Sequence, residues 1–190
     1  MSAPEEAQSE ERLVREAVSG SDEAFTELVR RHKRKVFNIV AKFVRSDYEL
    51  EDVCQEIFVK VYQNLNKYRA DAPFEHWVSK IAVNACYDAL RRQRRREVEV
   101  PLEDVEYALA DPANGEIKGD EAWKILRHAM SGLRPEDRLV ITLLNLEEKS
   151  IREISELTGW GESKVKVRAF RARKELKRIL EGSGGKRSEG

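Results

Sequence analysis

The feature that most constrains the fold of this 190-residue chain is a break at residues 97–119. Pro101, Pro112, Gly115 and Gly119 fall within it, and its apolar residues keep no regular period. Residues 97–121 hold nine acids and one base, a net charge of −8. Such a stretch lacks the apolar face that an ordered element must bury, so it reads as a linker. At full extension its 23 residues would reach roughly 75 Å, or about two turns of duplex DNA. Two small bodies joined by this linker or weakly ordered piece are expected.

Charge divides the chain in the same places. Residues 12–96 carry 18 bases against 12 acids, and residues 122–180 carry 14 against 8, so each block has a net +6. The totals, 35 bases and 35 acids, cancel only because the linker and the stretch Met1–Glu11 are acidic. A chain that is neutral overall can therefore present two cationic faces to a polyanion. No run of about 18 apolar residues occurs, and the first residues lack the basic-then-apolar order of a leader. Two cysteines, Cys54 and Cys86, cannot make a disulfide framework or a cysteine-rich zinc site. They read as reduced packing residues, with a redox switch as the less favoured alternative. His32, His76 and His128 are scattered. The expectation is a cytoplasmic chain with no catalytic residue, no metal and no cofactor.

Both blocks read as helical, and no convincing strand period occurs. Ser21 is placed to cap a helix with apolar positions Phe25, Leu28, Val29, Val36, Ile39, Val40 and Phe43. After a break at Arg45-Ser46-Asp47, residues Val53, Ile57, Val61 and Leu65 form a stripe at i, i+4, i+8 and i+12. Residues 67–73 read as a loop, ending at Pro73. A third helix then turns Trp77, Ile81, Ala85 and Ala89 inward and runs into Arg91–Arg96. Beyond the linker, helices are expected at Glu121–Ser131 and at Pro135–Asn145, the second opened by a proline suited to the first turn.

The most specific local signal lies in residues 150–176. Ile151, Ile154 and Leu157 give a short helix its buried face, and Thr158-Gly159-Trp160-Gly161 supplies a tight turn. Ser163 can cap a second helix whose Val165, Ala169, Ala172, Leu176 and Ile179 make one core-facing stripe. Lys164, Lys166, Arg168, Arg171, Arg173, Lys174, Lys177 and Arg178 are expected forward, with Glu175 the only acid among them. Phe170 faces forward too, where an aromatic can meet thymine methyls. A packed back with a cationic front is what a helix needs to read the major groove of DNA.

The run Asp52-Val53-Cys54-Gln55-Glu56-Ile57-Phe58-Val59-Lys60-Val61-Tyr62, followed by Phe74-Glu75-His76-Trp77-Val78-Ser79-Lys80-Ile81-Ala82-Val83-Asn84, resembles region 2 of extracytoplasmic-function (ECF) sigma factors. Leu133-Arg134-Pro135-Glu136 and the helix-turn-helix resemble their region 4. The resemblance implies an all-α fold of two small helical domains. It divides the chain into an acidic N-terminal tail (1–11), region 2 (12–96), a linker (97–119), region 4 (120–180) and a disordered tail (181–190). It also implies a non-enzymatic subunit that binds core RNA polymerase and promoter DNA, is monomeric when free, does not insert into membranes, and is held by an anti-sigma partner, in many members a membrane-bound one.

Residue roles follow by the same resemblance. Asp52, Gln55, Glu56 and Phe58 match the segment that docks on the polymerase clamp helices. Lys60, Asn84 and the loop 67–72, with Tyr68 as a stacking face, match positions that handle the −10 element. Tyr87, Asp88, Arg91 and Arg92 extend that site, with Asn84, Tyr87, Asp88 and Arg91 expected on the helix face opposite Trp77 and Ile81. Ser163, Lys164, Lys166, Val167, Arg168, Phe170, Arg171 and Lys174 are the expected −35 contacts. Three positions depart from the family pattern. Ser79 stands where many members carry an aromatic, Lys166-Val167 where Arg and Ser are frequent, and Ser155 where a small alanine is usual at the helix crossing. The alternative function is a stand-alone dimeric helix-turn-helix regulator, which would require palindromic DNA.

Overall fold

A computed structural model describes residues 3–44, 46–99, 126 and 128–184. Among the described residues every regular element is helical and no strand occurs. The chain separates into two compact units, Met1–Ala89 and Leu90–Gly190.

The first unit contains α1 (Ala3–Val18), α2 (Asp22–Val40), α3 (Asp47–Asn64), a single 3-10 turn (Leu65–Lys67) and the start of α4 (Phe74–Glu99). The side chains of Ser21 and Ser46 accept from the backbone N–H groups of Ala24 and Glu49, each at 3.2 Å, and so satisfy orphan donors at the first turns of α2 and α3. Leu28, Val36, Ile39, Val40 and Phe43 pack inward from α2 and its end. They meet the α3 stripe of Val53, Ile57, Val61 and Leu65, all buried as the sequence predicts. Each such side chain contributes roughly 1.5–3 kcal/mol on burial, so the four-membered stripe is what fixes α3 against α2.

The structure corrects the sequence reading at several places in this unit. Residues 3–11 are no tail but the first part of α1, which continues to bury Leu13, Val14 and Ala17. Phe25 and Val29, expected in the core, are only half-buried. On α4 the fully buried line is Phe74, Val78, Ala82, Ala85 and Ala89, with Val83 and Cys86 beside it, while Trp77 and Ile81 are half-exposed. The helix also continues through residues 97–99, the expected start of the linker. The remainder of the expected linker, residues 100–119, lies outside the described residues.

In the second unit, residues 128–131 are helical and precede α5 (Pro135–Asn145), α6 (Ile151–Thr158) and α7 (Glu162–Gly184). Most of the expected helix Glu121–Ser131 lies outside the described residues. Pro135 occupies the first turn of α5, where its missing N–H costs nothing. Met130, Leu133, Ile141 and Ala172 form one core cluster, flanked by Leu126 and Leu176. Leu139, Leu143, Ile154, Leu157, Val165 and Ala169 extend the buried set across all three numbered helices. Residues 181–184, expected as part of a disordered tail, complete α7, and residues 185–190 lie outside the described residues.

Candidate nucleic-acid and polymerase interfaces

The turn between α6 and α7 is closed by side chains as well as by glycine. Ser150 caps α6 in a capping box: its hydroxyl accepts from the Glu153 N–H at 3.2 Å, and its own N–H donates to the Glu153 carboxylate at 2.8 Å. Those bonds from Ser150 hold the Glu153 carboxyl below its ordinary value. Gly159 ends the helix at φ +73, a conformation open to glycine without steric cost. Ser155, the departure at the crossing, donates its hydroxyl to the Trp160 carbonyl at 2.6 Å and ties the turn together. Thr158 accepts from the Trp160 N–H at 3.2 Å.

The recognition helix α7 begins one residue earlier than the cap expected at Ser163. The Gly161 carbonyl accepts the Val165 N–H at 3.1 Å, so Ser163 is an exposed first-turn residue. Val165, Ala169 and Ala172 are buried, whereas Phe170 is 68% and Val167 49% exposed. That contrast defines a back and a front. Lys164 lies over the Trp160 ring at 3.9 Å, a cation–π contact. Lys166 pairs with Glu162 at 3.4 Å, Arg178 with Glu175 at 2.6 Å and Lys177 with Glu181 at 3.7 Å. Arg171, Arg173 and Lys174 form no ion pair among the described residues.

Arg168 is the exception on this helix. Its guanidinium lies 3.3 Å from Asp137 of α5, with side chains only 20% and 8% exposed. It is turned into the unit, not toward the front with Lys166, Phe170 and Arg171. A half-buried arginine holding a buried carboxylate braces α7 on α5, and removing either partner would strand the other.

In the first unit, Asp52 and Gln55 are exposed on α3, and Glu56 pairs with Lys60 at 2.6 Å. Phe58 lies half-buried in a groove of about 890 Å3 between α2 and α3, with Gln55, Phe25, Val29, Phe37 and Tyr62 also lining it. Phe25 and Tyr62 meet edge-on at 4.9 Å. The sequence reading missed this groove, although Val59 and Tyr62, off the α3 stripe and half-exposed, mark it. Cys54 also lines it, and burial pushes its thiol up to about 11. A thiol so weakly ionised is a poor nucleophile, which suits the packing role expected of it.

Lys60 also reaches Asp88 of α4 at 3.8 Å, so two expected −10 residues face each other across α3 and α4. Asn84 is exposed, and its amide donates to the Lys80 carbonyl at 2.7 Å. Contrary to the expectation, Asn84 does not stand opposite Trp77 and Ile81. Seven residues bring an α-helix round to within about 20° of the starting direction, so Trp77, Ile81, Asn84, Asp88 and Arg91 follow one side. Tyr87 is half-buried; further along α4, Arg91 is exposed and Arg92 half-buried. Tyr68 is not a free stacking face, because its ring packs on Phe74 and Trp77 at 5.2 and 5.7 Å. Ser79 is buried and back-bonds to the Glu75 carbonyl at 2.7 Å, so it takes no part in stacking.

Two helical units, one ending in a helix-turn-helix with an exposed cationic and aromatic front, have the form of a DNA-binding protein. Comparison with known proteins narrows the class. Residues 28–96 match Sigma-70 region 2 and residues 123–176 match Sigma-70 region 4. The chain is 31% identical to the ECF RNA polymerase sigma factor SigM of Mycobacterium tuberculosis over 90% of its own length and 85% of that protein. It is 32% identical to the ECF RNA polymerase sigma-E factor of Escherichia coli K12, covering 86% and 90% of the two chains. It is 30% identical to the RNA polymerase sigma-H factor of Pseudomonas aeruginosa, over 92% and 95%. The chain belongs to the ECF family of RNA polymerase sigma factors. Its fold resembles CnrH, solved in complex with the cytosolic domain of CnrY (TM-score 0.56, 24% identity, 90% and 96% coverage). It also resembles RpoE of Bartonella quintana, solved in complex with the anti-sigma factor NepR (TM-score 0.59, 18% identity, 83% and 96% coverage). No described helix is long and apolar enough to cross a membrane.

Proposed function

We propose that the chain is a dissociable promoter-specificity subunit of RNA polymerase, acting in the cytoplasm, monomeric when free and without enzymatic activity of its own. The observation that carries this reading is the division of α7 into a buried back of Val165, Ala169 and Ala172 and a front with Phe170 and Val167 exposed. Lys166, Val167, Phe170 and Arg171 read base edges of the −35 element, and Ser163, Lys164 and Lys174 meet its phosphates. Arg168 serves this site indirectly, by holding α7 on Asp137. Such a division of labour is chemically sound, since base-edge contacts specify sequence and phosphate contacts position the helix.

In the first unit, Asp52, Gln55, Glu56 and Phe58 dock on the polymerase clamp, a half-acidic face bordered by an apolar groove. The −10 element is held by Asn84, whose amide offers donor and acceptor together, with Lys60, Tyr87 and Asp88 nearby. Arg91 and Arg92 meet phosphate, and Tyr68 acts through the loop it anchors. Opening a duplex without ATP requires that extruded bases find new partners on the protein. An anti-sigma protein that masks these faces is the expected regulator. A stand-alone dimeric regulator has less support, because both sigma regions are matched in order along one chain. Run-off transcription from a promoter library with purified core enzyme tests the proposal. Transcripts that depend on both core and this chain are expected; palindrome binding by a dimer, with no core-dependent transcript, would refute it.

A further inference from the structure

A connected set of side chains in the first unit ties α1 to the loop before α4. Glu10 of α1 lies 2.7 Å from Nε2 of His32, whose side chain is only 8% exposed on α2. A carboxylate can only accept, so Nε2 carries the proton and donates. The His32 ring meets Phe74, at the start of α4, with centroids 5.2 Å apart and planes at 64°. Phe74 in turn stacks on Trp77 at 5.5 Å and takes Tyr68 edge-on at 5.2 Å. The Tyr68 hydroxyl donates to the Ala72 carbonyl at 2.8 Å.

That last bond spans a strained residue. Ala70 has φ +58, a left-handed conformation that disfavours any residue with a Cβ. Such a conformation persists only where the surroundings over-determine it, and here Tyr68 and Ala72 pin the chain on both sides. The Tyr68 phenol has its pKa raised chiefly by burial, with Glu10, Glu11 and Asp71 adding to the effect. The acids of α1 are therefore close enough to act on this ring. Trp77 also stands seven residues before Asn84, on the same side of α4.

We propose that the Glu10–His32 hydrogen bond is a positioning device for promoter opening: acting through Phe74, it fixes the aromatic block that holds the strained loop 68–72 in shape beside the Asn84 side of α4. This inference rests on the −10 reading given above. Glu10 and His32 touch no nucleic acid. They hold a loop preformed, so that an extruded strand meets an ordered surface and does not have to order it. The competing view is that the pair merely packs α1 on α2.

The test uses holoenzyme assembled from core polymerase and the full chain. The probe is a duplex opened over the −10 element, with random bases on the non-template strand. Glu10→Ala is expected to weaken retention of this template about tenfold, the scale of one lost buried hydrogen bond, with core affinity unchanged. Glu10→Gln keeps an acceptor and should restore retention. In a Trp123→Phe/Trp160→Phe background, Trp77 emission should shift in Glu10→Ala and return in Glu10→Gln. Tyr68→Phe, which removes only the bond to Ala72, should also weaken retention, and the double variant should lose no more than the worse single one, because linked residues are non-additive. Additive losses, or a shifted Trp77 emission with wild-type retention, would overturn the inference and leave the −10 reading standing. Wild-type retention by Asn84→Ala would instead overturn the −10 reading and the inference with it.

Discussion

Replacing Gly159 with alanine isolates the backbone requirement of the helix-turn-helix. Gly159 sits at φ +73 and ψ 11, and a Cβ added there would meet nothing within 4 Å. Its N–H donates to the Ser155 carbonyl at 2.9 Å, a bond alanine can also make. The cost is therefore conformational alone. A left-handed L-residue costs roughly 1–2 kcal/mol, and reduced freedom of the unfolded chain returns about 0.4–1 kcal/mol of it. A net loss of about 1 kcal/mol follows, equivalent to about 4–8 °C in the midpoint of a domain of this size. Gly161→Ala is the comparison, since that site is equally open and lacks a positive φ; as the N-cap of α7, where glycine is preferred to alanine, it should lose about 0.5 kcal/mol. Gly159→Asn should fall between glycine and alanine, because asparagine tolerates this region. Thermal unfolding followed by Trp160 fluorescence, with Trp77 and Trp123 replaced by phenylalanine, reports on the turn directly. Equal losses at 159 and 161, or a larger loss for Asn than for Ala at 159, would refute the argument.

Four further outcomes are expected. Ser150→Ala should cost the second unit about 1 kcal/mol through loss of its capping box. Because the folded carboxyl of Glu153 lies below the ordinary 4.5, its stabilisation is complete above that value and fades as pH falls through the lowered one; Glu153→Gln should abolish that part of the acid dependence in unfolding titrations. Arg171→Ala should change base preference at one or two −35 positions in a binding selection, whereas Lys174→Ala should weaken all sequences alike and reduce the salt slope by about one unit. Gln55→Ala combined with Glu56→Lys should lower core affinity in a pull-down without loss of helicity by circular dichroism, and unchanged core binding would remove α3 from the docking face.

What the sequence made legible was local. The bounds of α5 follow from Pro135 and the apolar spacing behind it, and the turn at Gly159 follows from a glycine between two periodic segments. The α3 stripe is read directly because one clean period of four runs from Val53 to Leu65. α1 was obscured by its charge: among the described side chains its buried face is Leu13, Val14 and Ala17, behind a run rich in glutamate. What anchors it is His32, 22 residues from Glu10, and no periodicity announces a pairing of that separation.

Helix geometry also separates what could have been read from what could not. Asn84 on the Trp77 side was available from the spacing, since seven residues make almost two full turns. Arg168 was legible by half. It falls about 60° from Val165 and 40° from Ala172 around the axis, which is the seam of the buried stripe and not the centre of the front. Charge suggested a DNA contact, while angle suggested an edge residue. The deciding term is a carboxylate: Asp137, brought beside it by α5, is nearly buried, and leaving it unpaired would cost more than a solvated arginine gains. Tyr68 follows the same logic, because its ring finds Phe74 and Trp77 and its hydroxyl finds Ala72 before any base arrives. A polar or aromatic side chain on a promising face is available to a partner only if the fold has not already used it, and that depends on groups brought close by the fold and not by the spacing along one helix.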